Sequence, residues 1–447
     1  MGKKILIFTT EMLPGLGYPI AGGGIRTWQI GEGLKSRGHE VIYSLPQKIV
    51  EGKENLPSLL KEYTHRDEVL DDVIDSVKPD VVVCIQWHHV NKIKKELTIP
   101  LVIDLFGLLM LENAYFDQFN LELFSISKLE AIAKADYFIC ATEKQKAYFL
   151  TWMVMAGIHP KEECIEAIPV SLSPQLPDYA VPEEPVFVFG GVFWPWQDPF
   201  TPLNEVIQTL DNQQKGLLKV YGSVHPYLKD VPLTYCNPDE RLIKSQRVQR
   251  FAMLQHEEMM AEYAKTSVAA DLMMPNNERF LAYPIRSVCY LWCGLPLIVP
   301  QFNDVSLLVK EYQAGWVVDT TNPGEVADTI RHILDHPEII PQYKENAQKL
   351  VREKLTWDIT IEPLHRYCEN PQKLAKQDNM FKLVSHSLYQ AHEKMGVMGK
   401  EMEIMSREIE RMNREHDPLR KAKADLDAIR GKTLYKIYHK LTAKLKG

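Results

Sequence analysis

The residues with the clearest capacity for chemistry sit just after apolar runs. Gly22, Gly23 and Gly24 follow the strand-like KKILIFTT and directly precede the helical pattern IRTWQIGEGLKSRG. Glycines there let the backbone approach a ligand closely, and a helix N-terminus presents free amides to a phosphate or an acceptor group. A tight turn also needs glycine with no ligand at all, so the structural reading stands beside the functional one. Arg26, on the first turn of the helix, is a candidate partner for the same phosphate or acceptor. Further on, Gln86-Trp87-His88-His89 follows VVVCI, and Asp104 follows PLVI. Both places fall at carboxyl ends of expected strands, where His88 can orient a hydroxyl and Asp104 can act as a base. No acidic triplet with metal-ligand spacing occurs, so no divalent ion is expected. The seven cysteines are scattered, with no C-x-x-C pair and no Cys/His zinc spacing, so neither a disulfide framework nor a structural metal is expected.

Those positions depend on elements that alternate along the chain. KKILIFTT, HEVIYSL, PDVVVCI, PLVIDLF, ADYFICAT and ECIEAIPV read as short strands, separated by helical stretches such as ISKLEAIAKA and EKQKAYFLTWMVMAG. Strands alternating with helices imply a parallel, doubly wound sheet. Residues 173–185, SPQLPDYAVPEEP, hold four prolines and mark a linker. Alternation then resumes through PVFVFGG, GLLKVYG, VQRFAML, SVAADLMM, LPLIVP and AGWVVD. Two Rossmann-like halves joined by a proline-rich hinge bind ligands in the cleft where the strands' carboxyl ends face each other. The expected boundaries are 1–175 and 183–357 for the two halves, 358–372 for a closing helix, 373–417 for an oligomerisation helix and 418–447 for a tail.

Composition and charge narrow the function classes. A chain of 447 residues exceeds what one hydrophobic core supports. The net charge is −7, yet residues 419–447 carry nine Lys/Arg against two Asp, so the tail holds +7 and the rest −14. The body is a poor partner for nucleic acid, while the tail suits an anionic surface. No apolar run reaches transmembrane length, and the start is too short in apolar residues for a signal peptide, which predicts a cytoplasmic protein.

Beyond Pro371 the pattern changes. Phe381, Val384, Leu388, Ala391, Met395, Met398, Met402, Met405, Ile409 and Met412 recur at alternating spacings of three and four, the seam of a coiled coil. A helix over that span extends roughly 48 Å. It predicts a homo-oligomer through 380–413, against the alternative of a long helix folded on the enzyme's own surface. His416-Asp417-Pro418 should interrupt it. In 431–447, Leu434, Ile437, Leu441 and Leu445 share one side and Lys432, Lys436, Lys440 and Lys444 another, which suits an anionic membrane surface or a solvated end to a stalk.

Several multi-residue motifs carry a resemblance over about residues 1–370. GGG-I-R with RGHEV, PLVIDLFGLLMLE, ADYFICATEKQKAYFLTWMVMAGIHP, FVFGGVFWPWQDPFTPLNEVI and ERFLAYPIRSVCYLWCGLPLIVP together resemble bacterial family-4-type glycosyltransferases, closest to a subgroup of surface-polysaccharide clusters. The resemblance implies the GT-B fold: two Rossmann-like domains facing a cleft, here with an added C-terminal coiled coil. It implies a nucleotide-sugar donor as substrate, no cofactor, a growing or lipid-linked glycan acceptor, and transfer with retention of configuration. In such a reaction the leaving diphosphate helps deprotonate the acceptor. The protein then supplies charge stabilisation and alignment, and Asp104 can hold the transferred sugar.

The chain departs from the family at its donor site. Two glutamates expected before Cys-Gly-Leu-Pro fall, counting back from Gly294, on Leu281 and Cys289. The subgroup has an aspartate at the latter place and an upstream glutamate that corresponds to Glu278. A thiol is a weak partner for a ribose hydroxyl. The loop opened by Gly190 and Gly191, GGVFWPWQDP, lacks the family's Arg and Lys. In their place Arg279 and Arg286 are the candidate diphosphate ligands, Trp194 and Trp196 candidate stacking platforms or hinge packing, and Asp198 a candidate acceptor from a sugar hydroxyl. The sequence thus predicts a peripheral membrane glycosyltransferase of O-antigen, capsule or similar biosynthesis. A GT-B scaffold without catalysis is the alternative, and a sugar-nucleotide epimerase a weaker third.

Overall fold

The computed structural model describes residues 2–18, 20–54, 56–66, 69–116, 119–223, 241–252, 254–375 and 380–444. It divides into a body, Met1–Lys382, and a C-terminal unit, Leu383–Gly447.

The body holds two parallel six-stranded sheets. In the first lobe, β1 (Lys4–Phe8), β2 (Glu40–Ser44), β3 (Val81–Ile85), β4 (Leu101–Asp104), β5 (Tyr137–Cys140) and β6 (Ile165–Ala167) lie in the order β2-β1-β3-β4-β5-β6. In the second, β7 (Val186–Val192), β8 (Leu217–Ser223), β9 (Val248–Phe251), β10 (Val268–Ala270), β11 (Leu297–Pro300) and β12 (Gly315–Val318) lie in the order β12-β11-β10-β7-β8-β9. Central strands such as β3, VVVCI, are buried at every residue, as parallel strands covered by helices on both faces must be. Strand order reverses between β1 and β3 in one lobe and between β7 and β10 in the other, the switch points where such sheets bind ligands.

Contacts between the lobes come from segments that follow strands. The Gly15 amide, after β1, donates to Glu257 Oε1, after β9, at 2.5 Å. Lys144, after β5, pairs with Asp304, after β11, at 2.6 Å. Gln145 Nε2 reaches the Leu281 carbonyl at 3.2 Å. The carboxyl ends of the two sheets therefore face one another, and the switch points border one cleft.

The chain then returns from the second lobe to the first. Helices Trp357–Thr360 and Glu362–Glu369 bury Ile361, Leu364 and Cys368 completely in the first lobe's core. Tyr367 stacks on Tyr137 at 4.0 Å, and Trp357 meets Trp28 edge-on at 4.7 Å. The Arg37-Gly38-His39 turn receives this segment: Arg37 donates to the Asp358 carbonyl at 2.7 Å, and His39 Nε2 lies 2.9 Å from His365 Nδ1. The 358–372 segment is thus part of the first lobe's packing.

The C-terminal unit corrects one expectation. A single helix, Met380–Lys444, runs through Pro418 without a break, so the boundary expected at 417/418 is not a helix end. Proline removes one backbone donor and frees the Arg414 carbonyl, and on so exposed a helix water can satisfy that group. Met395, Met398, Met402, Met405, Ile409 and Met412 are all exposed in the single chain. The side chains at 381 and 384, and residue Leu445, lie outside the described residues. Among the described residues no helix is long and apolar enough to cross a membrane.

Because Leu364 is fully buried across this return crossing, Leu364→Ala should destabilise the body by about 2–5 kcal/mol. Denaturant unfolding checks it, and a cost under about 1 kcal/mol contradicts the packing.

Candidate functional site

At the first switch point the glycine cluster is not a vacant anion site. The glycines form the first turn of helix Gly22–Ser36 instead of preceding it. Glu11 already occupies the N-terminus: the Gly24 amide donates to its Oε2 at 3.0 Å. Burial raises the Glu11 pKa, and the Gly24 and Gly23 amides partly oppose that. The glycines answer packing needs as well. A Cβ on Gly24 would lie 2.0 Å from the Met12 carbonyl oxygen, and one on Gly22 would lie 2.8 Å from Ile285 of the other lobe.

Arg26 and Asp104 depart from their expected roles for a shared reason. Both side chains are wholly inaccessible, and they pair bidentately, Nε to Oδ2 at 2.9 Å and Nη2 to Oδ1 at 3.2 Å. Nη1 of Arg26 also donates to the Ile168 carbonyl at 2.8 Å. Burial pushes Asp104 up and Arg26 pulls it back. A charge pair sealed this way ties Gly22–Ser36 to the sheet, leaving neither group open to a phosphate, an acceptor or a sugar.

His88 is the second residue of a 3-10 turn, Trp87–Lys92, with its ring 4.3 Å from that of His89. Burial pushes its pKa down to about 4, so it is neutral at pH 7 and can orient a hydroxyl without carrying charge. Gln86, just before it, is strained at φ +71°, and a Cβ on Gly107 would lie 2.0 Å from its Nε2. This position carries no sequence signal beyond following a strand.

The second switch point holds the most promising cation. Gly190 and Gly191 come just before Val192, the last residue of β7. The Gly190 amide donates to the Tyr290 hydroxyl at 2.7 Å. Gly191, at φ +131°, leaves room for Arg286, whose Nε would be 3.0 Å from an added Cβ. Arg286 lies in the first turn of helix Ile285–Trp292, over the Phe189 ring at 4.6 Å. Its Nη2 donates to Gln197 Oε1 at 2.9 Å, and its Nη1 is buried with no hydrogen-bond partner among the described residues. The nearest carboxylate on Nη1 is Asp271 at 3.8 Å. Gln197 and Asp271 are site residues that sequence reasoning missed, although Gln197 lies within the quoted loop.

The other expected residues are engaged by the protein itself. Arg279 is held bidentately by Glu278 at 2.5 and 2.6 Å, so it is not a free phosphate ligand. Across the cleft, burial and then Glu278 push Glu112 up to about 8, so its carboxyl is largely protonated at pH 7. Asp198 accepts from Arg241 at 3.1 and 3.2 Å and from the Phe200 amide at 3.0 Å, so a sugar hydroxyl would share a carboxylate that the protein already engages. Trp194 stacks on Trp196 at 4.8 Å, and Trp196 meets Phe116 of the first lobe at 6.0 Å, which favours the hinge-packing reading. Cys289 is 4 % exposed in the second lobe's core, its thiol pushed up to about 12 by burial, so it does not stand at a ribose.

If Arg26 and Asp104 are structural, Asp104→Ala should cost about 3–5 kcal/mol of stability by stranding a buried guanidinium. The double change Arg26→Met with Asp104→Leu should recover much of it. Equal stability of Asp104→Ala and the parent in denaturant unfolding would contradict the pairing.

Comparison with known proteins bears on the fold. No protein-family model matches the chain, and no curated protein matches it. Solved structures do. Sucrose-phosphate synthase from Thermosynechococcus elongatus aligns at TM-score 0.61 and 15% identity, covering 82% of this chain and 98% of that one. HepE from Anabaena, in complex with UDP-glucose, aligns at 0.57 and 14%, covering 82% and 99%. WaaG, a glycosyltransferase involved in lipopolysaccharide biosynthesis, aligns at 0.56 and 13%, covering 82% and 100%. With two parallel Rossmann-like lobes and this likeness, the chain has the two-domain GT-B fold, extended by a long C-terminal helix.

Proposed function

We propose that this protein is a glycosyltransferase that moves a sugar from a nucleotide-sugar donor to a growing or lipid-linked glycan acceptor. The observation that carries the reading is Arg286. Its guanidinium is held at the second lobe's switch point by Gly191 and Gln197, with buried Nη1 unpartnered among the described residues. A diphosphate oxygen supplies the charged acceptor that this donor lacks. The leaving diphosphate carries the charge that develops on transfer, so the residue that binds it also lowers the barrier. Similar folds crystallised with UDP-glucose support a nucleotide sugar as the donor. Retention of configuration, metal independence and a role in bacterial surface-polysaccharide synthesis belong to the same proposal, on the motif resemblance.

In this reading the acceptor enters on the first lobe, where neutral His88 lies just beyond the end of β3. Residues 380–413 bring copies of the chain together through the methionine-rich seam, exposed in the single chain from Leu388 to Met412, and the basic 431–447 stretch rests on an anionic membrane face from the cytoplasmic side. A catalytically inactive scaffold is the second reading, favoured by the burial of Cys289 and the absence of a carboxylate in its place.

Titration calorimetry with UDP, GDP, ADP and CDP separates the two. The enzyme reading expects binding of at least one nucleoside diphosphate, weakened at least tenfold in Arg286→Ala, as loss of a charged hydrogen bond predicts. Unchanged affinity in that variant removes Arg286 from the site. Removing residues after 373 should leave a folded monomer by light scattering, whereas the same oligomer with and without them contradicts the seam assignment.

A further inference from the structure

We infer that Asp271 is an internal competitor for the donor's diphosphate, holding Arg286 in a resting ion pair that the incoming phosphate displaces. This deepens the donor-site reading and rests on it. Asp271 follows β10, across the switch point from Gly191, and its side chain is only 4 % exposed. Its Oδ1 lies 3.8 Å from Nη1 of Arg286, within ion-pair range but too far for a hydrogen bond. The attraction therefore biases the guanidinium without satisfying it. A phosphate oxygen at hydrogen-bond distance does both.

Ser287 decides how strongly Asp271 competes. Its hydroxyl donates to Oδ2 of Asp271, and Ser287 is itself completely buried. That bond takes up one carboxylate oxygen and turns part of its charge away from Arg286. The GGVFWPWQDP loop brings no cation, so Asp271 acts directly against the Arg286 charge that the diphosphate would use. Two consequences follow. The resting pair lowers the fraction of protein ready for the diphosphate, which weakens apparent affinity by that fraction. After transfer, Asp271 reclaims Arg286 and helps the product leave. Asp271 is thus a positioning residue acting through Arg286.

The test is calorimetric titration of the full chain with UDP, GDP, ADP and CDP. For each diphosphate the parent binds, Asp271→Asn should bind about tenfold tighter, the gain expected if about one tenth of the parent is competent. Ser287→Ala should bind more weakly, because Asp271 then turns fully to Arg286. Adding Arg286→Ala to Asp271→Asn should abolish the gain. Damage to the fold would weaken both single variants alike, so opposite signs mark competition. Should Asp271→Asn not fold, an unchanged or tighter Ser287→Ala overturns the inference alone. If the parent binds a diphosphate and loses it in Arg286→Ala, while Asp271→Asn binds no tighter, the competition is refuted and the donor site stands. If neither the parent nor Asp271→Asn binds any of the four, the donor-site reading falls and takes this one with it.

Discussion

At Gly191 the backbone adopts φ +131°, and a Cβ built there would lie 3.0 Å from Nε of Arg286. The close approach of a guanidinium to a strand end is the constraint on which the rest of the candidate site depends. Only a residue without a side chain leaves that space at that φ without strain. Phe189 supplies a ring face beneath the cation and Gln197 a neutral acceptor beside it, so Arg286 is oriented without donating a hydrogen bond to Asp271 at 3.8 Å. Neighbouring Gly190 serves the same geometry: a Cβ there would lie 2.2 Å from the Tyr263 hydroxyl. Two consecutive glycines thus let β7 end against a helix that begins only at Ile285.

The first lobe solves a parallel problem in the opposite way. It also sets an arginine near glycines, here Gly22–Gly24 at a helix N-terminus and Arg26 one turn on, but the chain supplies its own anions. Glu11 fills the amide site, and Asp104 takes Arg26 at zero exposure. The pairing fixes Gly22–Ser36 to the carboxyl end of β4. Gln86 is strained at the same end of the sheet, the kind of conformation that persists only where the surroundings over-determine it.

This contrast shows what local pattern could and could not convey. The strands were legible because VVVCI, PLVI and their counterparts are short buried apolar runs between helical stretches, and the four-proline segment marked the passage between lobes. The sequence placed Arg286 at the start of the helix that ends before Gly294, and the structure places it in the first turn of Ile285–Trp292. Arg26 carried the same local signature, and what distinguishes the two is a partner 78 positions away in the chain. Cys289 was placed by counting from Gly294, yet it faces the core because helix Ile285–Trp292 turns that position inward. The return of Ile361 and Leu364 to the first lobe, and the passage of a helix through Pro418, likewise depend on tertiary packing and solvent exposure that no short window contains.

The central claim is that the second lobe grips a diphosphate through Arg286. A crystal structure of the full chain with UDP bound tests it most directly. The account predicts a diphosphate oxygen about 2.7–2.9 Å from Nη1 of Arg286, beside Gly191 at the end of β7. A diphosphate bound elsewhere, with Arg286 still reaching only Gln197 and Asp271, would contradict it.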